Sequence, residues 1–224
     1  MQKGLAYAPS ICGRKGALMD SYKTIKERAS FEYEDRKSVF IGDAMPVSTE
    51  AEALAFIEMI KKKYPDARHH VYAYVLRENN TTRFTDDSEP QGTAGMPTLD
   101  VIRKNGCTNV VIVVTRYFGG TLLGTGGLVR AYTQAALGAL NKGTPVVYDV
   151  YSTLKITVTY SDHGRICQAL DEAGFVIDDT AFAANVELVG RIKATEVQSL
   201  RSRLTDLTSA RAHVEEIEQK FDCL

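Results

Sequence analysis

Tryptophan is absent from this 224-residue sequence, and no run of aliphatic residues is longer than the five, Val110–Val114. A membrane-spanning helix needs about 20 such residues, so that architecture is excluded. Cysteine is sparse. Cys12, Cys107, Cys167 and Cys223 stand far apart with no C-x-x-C pair. That spacing fits neither a zinc site nor a redox motif, and isolated thiols suit a reducing cytoplasm. Neither G-x-S-x-G nor H-E-x-x-H occurs, so a hydrolase signature is missing. No segment repeats and none is of low complexity. Near the N-terminus, Lys3, Arg14 and Lys15 flank a short apolar stretch that Pro9 interrupts. A secretion signal needs a longer apolar region and a small-residue cleavage site. Residues 1–18 read as a flexible or added extension before a second Met, Met19, and the expected compartment is cytoplasmic.

The composition that is present, 44% apolar and 25% charged, belongs to an ordinary globular chain long enough for one or two domains with real cores. Lys+Arg (27) and Asp+Glu (28) nearly cancel, but their distribution is uneven. Residues 101–148 hold five basic side chains (Arg103, Lys104, Arg116, Arg130, Lys142) and no acid, whereas residues 149–224 carry 8 basic and 13 acidic ones, a balance of −5. A one-sign stretch is a candidate anion-facing surface. It is equally what a core strand and helix look like, since these hold few charges of either sign.

Ser30–Val47 alternates apolar and polar residues as one or two strands turning near Asp35–Lys37. Ser48-Thr49 caps a helix with Glu50 and Glu52 in its first turn, with Ala53, Phe56, Ile57 and Ile60 on one face and Tyr64-Pro65 as its stop. His69–Arg77 alternates as a strand, the polar loop Thr85–Pro97 follows, and a helix is predicted from about Thr98 to Lys104. Asn109–Thr115 has the continuous β-branched pattern of a central strand buried on both faces. A second helix follows the glycines, with Leu128, Ala131, Tyr132, Ala135 and Ala139 inward. After Pro145–Asp149 the order becomes βαββαβ, the ferredoxin-like plait. Its first helix is predicted to be capped by Ser161-Asp162. The predicted division is an extension over 1–18, a first domain over 19–146 and a second over 147–224, in an α+β fold.

Two segments carry candidate chemistry. Five glycines in nine residues (Gly119, Gly120, Gly124, Gly126, Gly127) lead into a helix start, where bare amides and the helix dipole can hold an anion. Arg116 and Tyr117 precede the loop, and Arg130 lies one turn into the helix, so the two arginines can bracket one anion. No Lys-Ser/Thr closes the loop, so it is not a P-loop. Alternatively, the glycines serve close helix–sheet packing. The second segment, Thr85 to Gly95, holds Asp86, Asp87, Glu89 and Thr93. Its three carboxylates can hold Mg²⁺, cap the next helix, or pair with Arg116 and Arg130. His69 and His70 are adjacent in a strand and point to opposite faces, so they cannot share one ion; one is expected to pack or cap and the other to face the acidic loop. His163 and His213 read as structural.

Arg116 to Tyr132 (RYFGGTLLGTGGLVRAY), the loop Asp86–Pro97 and the His69 strand resemble the hallmark of the Impact family, the bacterial YigZ type. The resemblance covers residues 20–145, and the following plait resembles the C-terminal domain of bacterial members. It implies an N-terminal α/β domain like those of a small-subunit ribosomal protein and elongation factor G, and a ferredoxin-like C-terminal domain. Two positions depart from the family pattern: Ser88 stands where Gly is usual, and Arg68 where Thr is common. Eukaryotic relatives regulate translation by competing for an activator of the amino-acid-starvation kinase through an additional N-terminal domain not found in this sequence, so that mechanism does not carry over.

Three functions are compatible with these features. The first is a non-enzymatic, translation-associated regulator that binds RNA or a ribosomal component through the basic glycine-rich surface, with the C-terminal domain as a protein-contact module. No feature points to DNA or a membrane. The second is an enzyme or ligand-binding protein that holds a phosphorylated small molecule, with Mg²⁺, between the glycine and acidic loops. The third is a protein–protein adaptor in which both motifs only shape the fold.

Overall fold

A computed structural model of the protein describes residues 21–223, in two compact units over residues 22–147 and 148–223. The expectation for residues 1–18 lies outside the described residues. The first unit begins with β1 (Tyr22–Ile25), β2 (Ala29–Asp35), β3 (Ser38–Pro46) and α1 (Glu50–Lys63). There follow β4 (His69–Val75), β5 (Thr82–Thr85), α2 (Gly95–Lys104), β6 (Val110–Tyr117) and α3 (Gly124–Lys142). β7 (Pro145–Val158) passes into the second unit, which continues with α4 (Tyr160–Glu172), β8 (Val176–Phe182), β9 (Val186–Lys193), α5 (Val197–Thr208) and β10 (His213–Asp222).

In the first unit an antiparallel sheet runs β2-β3-β6-β4-β5. β6 is its middle strand, and its side chains alternate between two cores. Ile112 and Val114 face α2 and α3, packing with Phe40, Leu99, Ile102 and Tyr132. Val111 and Val113 face α1, packing with Phe56, Ile57 and Ile60. A strand sandwiched this way has no polar face, hence its unbroken apolar run. α1 starts at a capping box in which the Thr49 hydroxyl accepts from the Glu52 N–H, and Ala53, Phe56, Ile57 and Ile60 are its buried face. On the other side α3 lies directly on the sheet: a Cβ added at Gly42 would sit 2.3 Å from the Ala135 carbonyl oxygen. At the free edge, β2 exposes Glu32 and Glu34, charges that discourage pairing with another strand.

The second unit is the expected plait. Its strands are ordered β10-β7-β9-β8, all antiparallel. Leu154, Ile156, Leu188 and Ile192 of the sheet pack beneath Ile166 and Leu170 of α4 and Leu200 and Leu204 of α5. The opposite sheet face carries ion pairs, Arg191 with Asp178 (2.7 Å) and Asp222 (2.5 Å), and Lys155 with Glu187 (3.0 Å). No helix among the described residues is long and apolar enough to cross a membrane.

Several element boundaries differ from the sequence reading. α2 starts at Gly95, not Thr98, and includes Pro97, which a first helical turn tolerates because its N–H groups have no intrahelical acceptor. α3 starts at Gly124, so three of the motif glycines lie inside its first turn. α4 is preceded by Thr159, whose hydroxyl donates to Asp162, rather than by Ser161. β5, a four-residue edge strand, has no periodic signal and was not anticipated.

Candidate functional site

The register between β4 and β6 sets His69 directly opposite Arg116, with Phe40 of β3 on the other side. Arg116 is 7% exposed. Its Nη1 donates to Glu89 Oε1 at 2.6 Å, and the Tyr132 hydroxyl of α3 donates to the same oxygen at 2.8 Å. The guanidinium also lies 5.5 Å from the Phe40 ring centre and 5.6 Å from that of Phe118. A buried charge is tolerated when it is paired and hydrogen-bonded, and Glu89, itself buried, supplies the counter-charge. Arg116 Nε nonetheless has no hydrogen-bond partner among the described residues. Burial first, then the Glu89 carboxylate, pushes the Tyr132 hydroxyl well above the usual phenol range.

The acidic loop closes over this pair. Glu89 N–H donates to the Asp86 carbonyl (2.9 Å), and the residues between, Asp87 (φ 44°) and Ser88 (φ 69°), both have positive φ, the sign pattern of a type I′ turn. Asp86 turns inward and accepts from Gly92 (2.9 Å), Ala94 (3.1 Å) and Gly95 (2.8 Å) N–H groups, so it caps α2 from across the loop. Burial raises its pKa, but those three backbone donors outweigh it and hold the carboxyl below its ordinary range. Asp87 Oδ2 accepts from the His70 N–H at 2.6 Å, and Thr93 Oγ1 donates to the Pro90 carbonyl at 2.6 Å. The two histidines diverge as expected. His69 Nδ1 donates to the Asp87 carbonyl (2.8 Å), and His70 Nε2 donates to the Tyr64 carbonyl (3.0 Å). Since a carbonyl only accepts, these contacts fix both tautomers. His69 Nε2 lies 3.9 Å from Glu89 Oε1.

The loop glycines divide by cause. At Gly119 a Cβ would meet the Lys37 carbonyl carbon at 2.0 Å, and its N–H donates to Ser38 Oγ at 3.0 Å, so the loop lies on the β2–β3 turn. Gly120 (φ 84°) and Gly124 (φ 72°) have left-handed backbone. A Cβ at Gly127 would approach Leu123 Cβ at 2.9 Å. Gly126 has ordinary φ and open space around it, so packing does not require its bareness.

A cleft of about 500 Å³ opens beside the loop, lined by Asp66, Arg68, His69, Arg116, Tyr117, Phe118 and Leu122. Phe118 is 56% and Leu122 81% exposed. Exposed cations border the same segment. Arg68 lines the cleft, Arg36 and Lys37 form the turn beneath Gly119, and Arg130 reaches Asp35 beside that turn at 3.4 Å.

Two expectations are revised by this geometry. Arg116 and Arg130 do not bracket one anion, because each is engaged by its own carboxylate, Glu89 and Asp35. Nor do the three loop carboxylates converge: Asp86 faces helix amides, Asp87 the β4 backbone, and Glu89 the Arg116–Tyr132 pair. Among the described residues no three His, Cys, Asp or Glu side chains are grouped to hold a metal ion. Sequence reasoning named Tyr132 only as core and missed Phe118, Leu122 and Asp66 as cleft lining. The aromatic beside Arg116 was a usable signal for Phe118; nothing local distinguishes Asp66.

Similarity to known proteins follows the same division of the chain. The Impact N-terminal domain profile matches residues 36–140, and a domain of unknown function (DUF1949) matches residues 156–211. The Impact family member YvyE of Bacillus subtilis is 37% identical over 91% of this chain and 94% of its own length. YigZ of Escherichia coli is 32% identical over 83% and 93%. The Impact homolog of Saccharomyces cerevisiae is 32% identical over 43% of this chain and 39% of its own length. A solved structure described as that of a hypothetical protein superposes with a TM-score of 0.56 and 31% identity, over 90% of this chain and 99% of the other. With the buried Arg116–Glu89 pair, the glycine loop and the plait all in place, and relatives matched over nearly their full length, the chain belongs to the Impact family.

Proposed function

We propose that this protein is a translation-associated regulatory protein that binds RNA or a ribosomal component through the surface around the glycine loop of its first unit. One observation carries the reading: exposed Arg36, Lys37, Arg68 and Arg130 border a segment that exposes an aromatic, Phe118. Cations and a stacking ring together suit a phosphate backbone with accessible bases. The family's eukaryotic members, which act in translation control, support the same direction. The second unit, with Val176, Ile177 and Phe182 exposed on edge strand β8, would serve as the protein-contact half. Holding a phosphorylated small molecule with Mg²⁺ between the two loops is less well supported, since the carboxylates it needs are committed to helix amides, backbone and Arg116.

Ribosome co-sedimentation at low and high salt tests this function. Wild type is expected to pellet at low salt and be released at high salt. Changing Arg36, Lys37, Arg68 and Arg130 together to Gln should abolish pelleting. Absence of pelleting by wild type, or pelleting indifferent to the four changes, overturns the proposal. Arg116 is unsuitable for this test, because removing it strands Glu89 in the core.

A further inference from the structure

Phosphate binding alone does not account for the lining of the cleft. Two guanidiniums, Arg68 and Arg116, share it with a carboxylate, Asp66, and with the apolar Phe118 and Leu122. A carboxylate repels phosphate but accepts from the amino and imino N–H groups of a nucleobase, whose edge presents donors and acceptors together. The Arg116 guanidinium lies against the Phe118 ring at 5.6 Å, which polarises the ring and leaves the remainder, 56% exposed, for a second planar partner. Leu122, 81% exposed, offers apolar area that folding does not use. Arg116, more than nine-tenths buried, lines the cleft beside the exposed Arg68.

Building on the RNA-binding reading above, we infer that the cleft seats one unstacked nucleotide of a single-stranded RNA. Its base lies against Phe118 and Leu122, its edge faces His69, Asp66 and Arg116, and its phosphate meets Arg68. The volume, about 500 Å³, matches a site for one nucleotide-sized ligand. Duplex RNA would be a poor occupant, since its bases are already stacked and paired.

The test compares a fluorescein-labelled, mixed-sequence single-stranded RNA of about 12 nucleotides with its duplex, by anisotropy at one fixed salt concentration. The single strand is expected to bind more tightly. Phe118→Ala should weaken it by about 5- to 150-fold, the range for losing one base–aromatic stack, and leave duplex binding unchanged. Phe118→Tyr should restore affinity and Phe118→Leu should not. Leu122→Ser repeats the test at the second apolar residue of the cleft and should also weaken single-strand binding alone. Equal binding of single strand and duplex overturns the inference. Full affinity in Phe118→Leu does so as well, because stacking on the ring then contributes nothing. Failure of wild type to bind the single strand while it still pellets with ribosomes overturns the cleft inference alone, whereas failure of salt-sensitive pelleting overturns the reading beneath it.

Discussion

Glu89, Arg116 and Tyr132 come from three elements far apart in the chain, and one carboxylate oxygen joins them. Removing a partner from a buried pair leaves an uncompensated charge, so Glu89→Ala should cost about 3–5 kcal/mol in urea denaturation. Tyr132→Phe removes one hydrogen bond to a charged group and should cost about 1.5–3 kcal/mol. A loss below about 1 kcal/mol for Glu89→Ala would show that the guanidinium is not dependent on this acid. Ser88 was legible as a departure from the family's glycine, and its φ of 69° gives the reason glycine is favoured there. Ser88→Gly should therefore raise stability by up to about 1 kcal/mol, read as a higher urea midpoint at unchanged slope. Asp86 sets a pH dependence. Its folded pKa is depressed, so its contribution is fully present above the unfolded carboxyl value and is lost as pH falls through the folded one. In Asp86→Asn the acid limb of the stability–pH curve should flatten below about pH 4, and an unaltered limb would assign the acid sensitivity to other groups.

Among the elements, those with a strong period were read correctly, and those that depend on distant partners were not. α1 declared its cap, buried face and stop, because all three are local. β6 declared its double burial through an unbroken β-branched run. α2 was placed three residues late because its N-terminal amides are capped by Asp86, nine residues before Gly95, a partner that no helix-start pattern contains. The glycine loop stands out in the sequence, but sequence could not separate packing glycines from free ones. The structure does, and the two kinds should respond oppositely to alanine. Gly119→Ala drives a Cβ into the Lys37–Ser38 backbone and should cost at least about 1–3 kcal/mol. Gly126→Ala meets open space in the first turn of α3 and should stabilise by up to about 1 kcal/mol. Thermal unfolding of the two variants side by side decides this; destabilisation by Gly126→Ala would mean that its surroundings are tighter than they look.

At the scale of the molecule, a net charge counted along the chain is a poor guide to the charge a partner meets. Residues 101–148 carry +5 by sequence, yet the buried Arg116 is neutralised by Glu89, the exposed Arg130 is only partly offset by Asp35, and Lys104 lies 3.6 Å from Asp100, all three acids from outside that stretch. The cations left for a partner near the loop come largely from elsewhere: Arg36 and Lys37 from the β2–β3 turn, and Arg68 from the approach to β4. Folding thus replaces a basic segment with a basic neighbourhood, which no window along the sequence could reveal. If that neighbourhood binds RNA, each phosphate contact releases counterions, and the slope of log affinity against log salt counts the contacts. Arg36→Gln/Lys37→Gln should make that slope shallower by about 0.7–0.9 per cation removed. Lys155→Gln, on the ion-paired sheet face of the acidic second unit, should leave the slope unchanged. Equal slopes for all three proteins would mean that the turn cations stay solvated in the complex, and that contact with the partner is made by apolar and backbone groups instead.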